Sequence, residues 1–153
     1  MYTGNKECIS VTIKETSGKI LLYFYQLQRT VPLTMRYRQL GFINKKTGGI
    51  GMTSDKKWLT SNLQGINSNS TDILNGFTFL VEKGFVLTRE RATNEATIYV
   101  GIQLTSAGID MVEGIERGPD GKEEFTRTFN IQVSDSMDVE QLISENLSML
   151  ATE

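Results

Sequence analysis

Between Thr71 and Gly84 the chain spaces Ile73, Phe77, Leu80 and Gly84 three or four residues apart. That spacing lines one face of an α-helix. The polar run Asn67, Ser68, Asn69, Ser70 ahead of it makes a turn whose last residues cap the helix, and Gly84 stops it. Upstream, Thr53 or Ser54 caps another helix running to about Leu63, with Asp55 at its positive end and Gly65 after it. Downstream come two runs rich in β-branched and aromatic residues, FVLTRER over 85–91 and TIYVGIQL over 97–104. Residues 92–96, with Asn94, form the hairpin tip between them. Helix, polar turn, helix, glycine and then a hairpin is a narrow constraint on architecture, and the first four members are the helix-turn-helix pattern.

The flanks are read by the same periodicities. Residues 8–13 alternate Ile9, Val11 and Ile13 and predict a short strand. Thr16, Ser17 and Gly18 then open a helix over 19–30, with Ile20, Tyr23, Phe24 and Leu27 on one face, broken by Pro32. A second helical piece is expected over 34–40. Residues 44–53, with three glycines, read as a loop, and they do not match a phosphate-cradling motif. Thr105 and Ser106 cap a helix over 107–116 carrying Ile109, Val112 and Ile115. Gly118, Pro119, Asp120 and Gly121 read as a turn, the expected boundary between a main module and a tail. The tail predicts a strand over 125–133, with Phe125, Phe129, Ile131 and Val133 facing one way, and a final helix over 138–150.

Composition narrows the chemistry. The 153 residues suffice for one domain with a core. No histidine is present and Cys8 is the one cysteine, so a Ser-His-Asp triad, a Cys-His pair, a His-ligated metal and an internal disulfide are all excluded. No cofactor, no metal and no enzymatic activity are expected. The longest apolar run, residues 20–25, is far short of the roughly 20 residues a membrane span requires. The N-terminal residues carry no export pattern, so a cytoplasmic, reducing setting is expected. The net charge of -2 hides a split. Residues 1–91 hold thirteen basic and six acidic side chains, and residues 92–153 hold three and twelve. The first part is therefore the one suited to an anionic partner.

From Gly18 to about Glu113 the sequence resembles the winged-helix family of bacterial and phage DNA-binding domains. The resemblance rests on NKKTGGIGMTSDKKWLTSNL, on NSNSTDILNGFTFLVEKGFVLTRER with its Glu82-Lys83-Gly84-Phe85 phrase, and on YVGIQLTSAGIDMVE with its Leu104-Thr105-Ser106-Ala107-Gly108 opening. It implies an α+β fold: a winged helix-turn-helix over residues 18–118 with a two-stranded wing, an N-terminal strand or arm over 1–17, and a strand-helix tail over 119–153. It also implies a helix in the major groove and a wing on the backbone or minor groove of double-stranded DNA. By position, Lys56 and Lys57 would meet phosphates. Ser70, Thr71, Asn75 and Thr78, with Asp72 and Leu74, would face the groove, and Arg89, Arg91 and Asn94 would lie on the wing.

The implied role is a transcriptional regulator of a bacterium or mobile element such as a phage. Plasmid and phage replication or partition factors share the same phrases. The groove-facing helix departs from the family in lacking an early Arg or Lys and in placing Phe79 and Val81 where exposed charge is usual. This leaves a rival expectation, a winged helix that contacts a protein partner through that apolar outer face without binding DNA. Finally, the two flanking strands and the apolar row of the last helix predict a homodimer. Phe129, Ile131, Val139, Ile143, Leu147 and Leu150 would supply its interface.

Overall fold

The computed structural model describes residues 3–30, 42–44, 50–51, 70–92 and 97–147, and the protein is α+β. The expected helices over 34–40 and 54–63 fall outside the described residues. A 28-residue helix, α1 (Thr3–Thr30), comes first and is about 42 Å long at 1.5 Å per residue. It absorbs residues 8–13, so the expected N-terminal strand is a helix. Ile9 and Ile13 alternate as a strand would, but they are also four apart, and β-propensity is easily overridden by packing. Thr16, Ser17 and Gly18 are not a helix start. They are buried in mid-helix, where the Ser17 hydroxyl donates to the Lys14 carbonyl at 2.7 Å. Past them, Ile20 to Tyr25 are all buried, which makes this part of α1 a central helix covered on every side.

Two short strands, β1 (Phe42–Asn44) and β2 (Ile50–Gly51), precede α2 (Ser70–Glu82). Helix α2 forms as its periodicity predicts, with Ile73, Gly76, Phe77 and Leu80 buried. It ends in paired hydrogen bonds, Phe85 N to Leu80 O at 2.9 Å and Gly84 N to Val81 O at 3.0 Å, with Gly84 at φ 80°. That reversal requires the left-handed region, which glycine enters without a steric penalty. The chain passes directly into β3 (Val86–Ala92) and back along β4 (Thr97–Leu104), antiparallel, with Val86 opposite Leu104 at one end and Ala92 opposite Thr97 at the other. Strand β1 pairs with β4, giving the sheet order β2-β1-β4-β3 with β3 at an edge.

The C-terminal third is helical. Thr105 caps α3 (Ser106–Glu113), accepting from Gly108 N at 3.0 Å and donating to the Gly84 carbonyl at 2.6 Å. A 3₁₀ turn, Gly114–Glu116, extends it. The segment read as a turn at 118–121 is the start of α4 (Pro119–Phe129), with Pro119 in the first turn, where its missing N–H is no loss. The expected strand over 125–133 is therefore also corrected. Phe125 and Phe129 are four apart, and Arg127 would have fallen on the apolar face of a strand. Asn130, left-handed at φ 57°, closes α4. Helix α5 (Val139–Asn146) is capped by Asp138, which accepts from Gln141 N at 2.8 Å.

One hydrophobic cluster joins α1, α2, β3, β4 and the C-terminal helices. Phe77 of α2 meets Phe24 of α1 edge-on and Tyr99 of β4 at a tilt, and Phe129 meets Phe79, Phe85 and Phe125 at ring distances of 6.4, 5.8 and 4.9 Å. The expected dimer-interface residues Phe129, Ile131, Val139, Ile143 and Leu147 are all within 6% of full burial inside this one chain, so they are core and not interface. Leu150 lies outside the described residues. Polar ties reinforce the layer. Lys122 donates to the Ile115 and Met137 carbonyls at 2.7 and 2.9 Å, and Tyr25 donates to Glu113 at 2.7 Å. Burial, helped by that bond to Glu113, pushes the Tyr25 phenol up to about 12.

Two outcomes are expected. Phe129→Ala should lower unfolding free energy by about 3 to 5 kcal/mol, read from urea titration, because it empties a site touched by three other rings; a loss under about 1 kcal/mol would contradict the shared core. Tyr25 has a folded pKa above its unfolded one, so its contribution is complete below pH 10 and fades as pH rises toward 12. Tyr25→Phe should be less stable than wild type at neutral pH by on the order of 1 kcal/mol, and the gap should close across that alkaline window. A constant gap would contradict the assignment.

Candidate nucleic-acid interface

The polar face of α2 follows from its buried stripe. Ile73, Gly76, Phe77 and Leu80 turn inward, so Thr71, Asn75 and Thr78, spaced four and three apart, turn the opposite way. Thr71 and Asn75 are exposed, while Thr78 is half-buried with Asp72 and Leu74 on the flanks. Ser70 opens the helix. Asn75, an amide with two donors and an acceptor carbonyl, is the side chain of this set suited to an adenine edge.

The apolar outer face expected at Phe79 and Val81 is partly covered from within. Phe79 meets Phe129 edge-on, Lys83 Nζ sits 5.5 Å from the Phe79 ring centroid, and Leu74 and Val81 also pack against the core. Helix α4 thus takes a place that the sequence had left open for another protein.

On the hairpin, Glu90 pairs across from Tyr99, and Tyr99 packs on Phe77 with ring centroids 5.0 Å apart. Alternation then places Leu87, Arg89 and Arg91 on the sheet face turned away from Phe77. All three are exposed. The register shifts between Leu87 and Arg89, where Gly101 at φ 65° is the extra residue on β4. This is a bulge with a left-handed glycine, and Thr88 Oγ1 donates to the Val100 carbonyl at 2.9 Å beside it. The Arg89 guanidinium lies across the bulge, with Nε and Nη2 each 3.3 Å from the position a Cβ on Gly101 would take. Sequence reasoning found the two arginines but not the bulge that holds one of them, because the bulge depends on a cross-strand register that no local signal carries.

The described site residues therefore form two sets on adjoining elements, the helix set Thr71, Asn75 and Thr78 and the hairpin set Arg89 and Arg91, without sharing one face. Lys56, Lys57 and Asn94 lie outside the described residues. The C-terminal third is unsuited to a polyanion. Between residues 110 and 145 nine carboxylates are exposed against two cations, Arg117 and Arg127. Among the described residues no helix is long and apolar enough to cross a membrane. No protein family, curated protein or solved structure matches the chain.

Proposed function

We propose that the chain is a winged-helix protein that binds double-stranded DNA and acts as a regulator of transcription. The observation that carries the reading is the continuity of α2 with the hairpin. A helix with an exposed Thr71–Asn75–Thr78 face stops at Gly84 and runs without a linker into a two-stranded antiparallel hairpin bearing exposed Arg91, with β1 paired to the returning strand. In this reading α2 enters the major groove. Arg91, on an edge strand and near the tip, reaches the backbone alongside it, with Lys56 and Lys57 adding phosphate contacts. The covering of Phe79 by Phe129 weakens the rival use of the same helix face for a protein partner.

Fluorescence anisotropy with a labelled random duplex at low and moderate salt tests this. Affinity should fall with salt at a log-log slope of roughly -0.9 per phosphate contacted. Reversing Lys56, Lys57 and Arg91 to Glu should remove non-specific binding, and Asn75→Ala should chiefly flatten sequence preference, by about 1 to 3 kcal/mol at the base it reads. Absence of binding at low salt, or binding untouched by the charge reversal, would contradict the proposal.

A further inference from the structure

Leu87 is the one large hydrophobic side chain left exposed among the described residues, at 61% of its surface. It stands on the edge strand β3, opposite Gln103 and on the same face as Arg89. The Arg89 guanidinium is held over Gly101, two positions from Gln103 on the neighbouring strand. An apolar side chain and a cation are thus fixed next to each other on a solvent-facing surface, with part of the arginine's freedom already spent within the chain.

Two residues before Leu87, Phe85 walls an open cleft of about 550 Å³ between α3 and the start of α4. Met111, Ala107 and Pro119 supply the rest of its apolar lining. Its mouth carries Asp110, Asp120 and Glu124 against a single cation, Arg117. Arg117 is engaged by Asp110 at 3.5 Å and by Glu113 at 3.8 Å. Asp120 and Glu124, one turn apart on α4, pair with no cation among the described residues.

The two surfaces are complementary in kind: an exposed leucine beside a guanidinium, and an apolar cleft beside two carboxylates. Leu87 remains exposed within its own chain, so it does not fill the cleft there. Two strand residues span only about 7 Å, so donor and acceptor lie close together on one molecule. A two-fold axis through that region lets each chain give a leucine and receive one, and the contact closes on itself instead of propagating.

We propose that the cleft between α3 and α4 is occupied by Leu87 of a second copy of this chain, with Arg89 reaching the second copy's Asp120 and Glu124, forming a reversible homodimer. This interface is distinct from the apolar C-terminal row, which is core. The contact uses neither α2 nor Arg91, and it is measured without DNA, so its failure and that of DNA binding are told apart.

Sedimentation equilibrium of the full chain without DNA, from micromolar to several hundred micromolar and at low and high salt, tests the proposal. The wild type should shift from monomer to dimer with concentration, less readily at high salt. Leu87→Glu should weaken association by about tenfold or more, with unchanged thermal melting because the residue is exposed. Reversing Asp120 and Glu124 to Arg should weaken it likewise, and adding Arg89→Glu to that pair should restore it. A wild type that stays monomeric throughout, a Leu87→Glu variant that dimerises as well as wild type, or a charge swap that restores nothing would each overturn the proposal.

Discussion

The structure depends on how closely α1 is approached at Ser17 and Gly18. A Cβ on Gly18 would stand 2.8 Å from both Ile131 Cδ1 and Phe129 Cβ, and one on Gly76 of α2 would stand 3.1 Å from Ser17 N. Two elements far apart in sequence, α2 and the end of α4, are therefore drawn against neighbouring positions of one helix. Small residues allow this approach, and the buried run Ile20 to Tyr25 fills the space around it. Close packing of this kind tolerates little change in volume, so a side chain added at Gly18 would push Phe129 out of the ring cluster.

That arrangement explains what the C-terminal third is for. It packs into the same hydrophobic cluster as α1 and α2. Helices α4 and α5 close the far side of α1, and Phe129 reaches through to Phe79 on α2. Glu116 accepts from the Val139 N–H at 2.9 Å, and Arg29 meets Glu140 at 3.1 Å, although the latter pair is largely exposed and adds little. Helix α2 is held from two sides while its Thr71–Asn75 face stays open. The exposed carboxylates of residues 110–145 belong to the C-terminal helices and their connections, and the hairpin arginines stand on other elements.

Several elements were legible in the sequence because their signals are local. The Ile73–Phe77–Leu80 stripe, the stop at Gly84, both hairpin strands, and the cap at Thr105 each need only a few neighbouring residues to specify them. Two strands were misread because apolar residues four apart satisfy a strand and a helix alike: Ile9 with Ile13, and Phe125 with Phe129. Arg127 carried the evidence against alternation. Thr16-Ser17-Gly18 has the composition of a helix start and the role of a packing site, a distinction set by what crosses it. The row Val139, Ile143, Leu147 signalled burial correctly but not its partner, which is the chain's own α1 layer. For the candidate site, exposure of Thr71, Asn75, Arg89 and Arg91 was foreseeable, whereas the bulge at Gly101 and the cleft beside Phe85 arise from long-range register and packing.

Helix α1 binds the α2–hairpin unit and the C-terminal helices into one cooperative core. Native-state hydrogen exchange of the intact protein tests it directly. Amides in Ile20–Leu27 of α1, Ile73–Leu80 of α2, and Leu142 and Ile143 of α5 should exchange with a common free energy equal to that of global unfolding. Exchange through α4 and α5 at a distinctly lower free energy, with α1 and α2 still protected, would show the C-terminal layer opening on its own and would contradict the account.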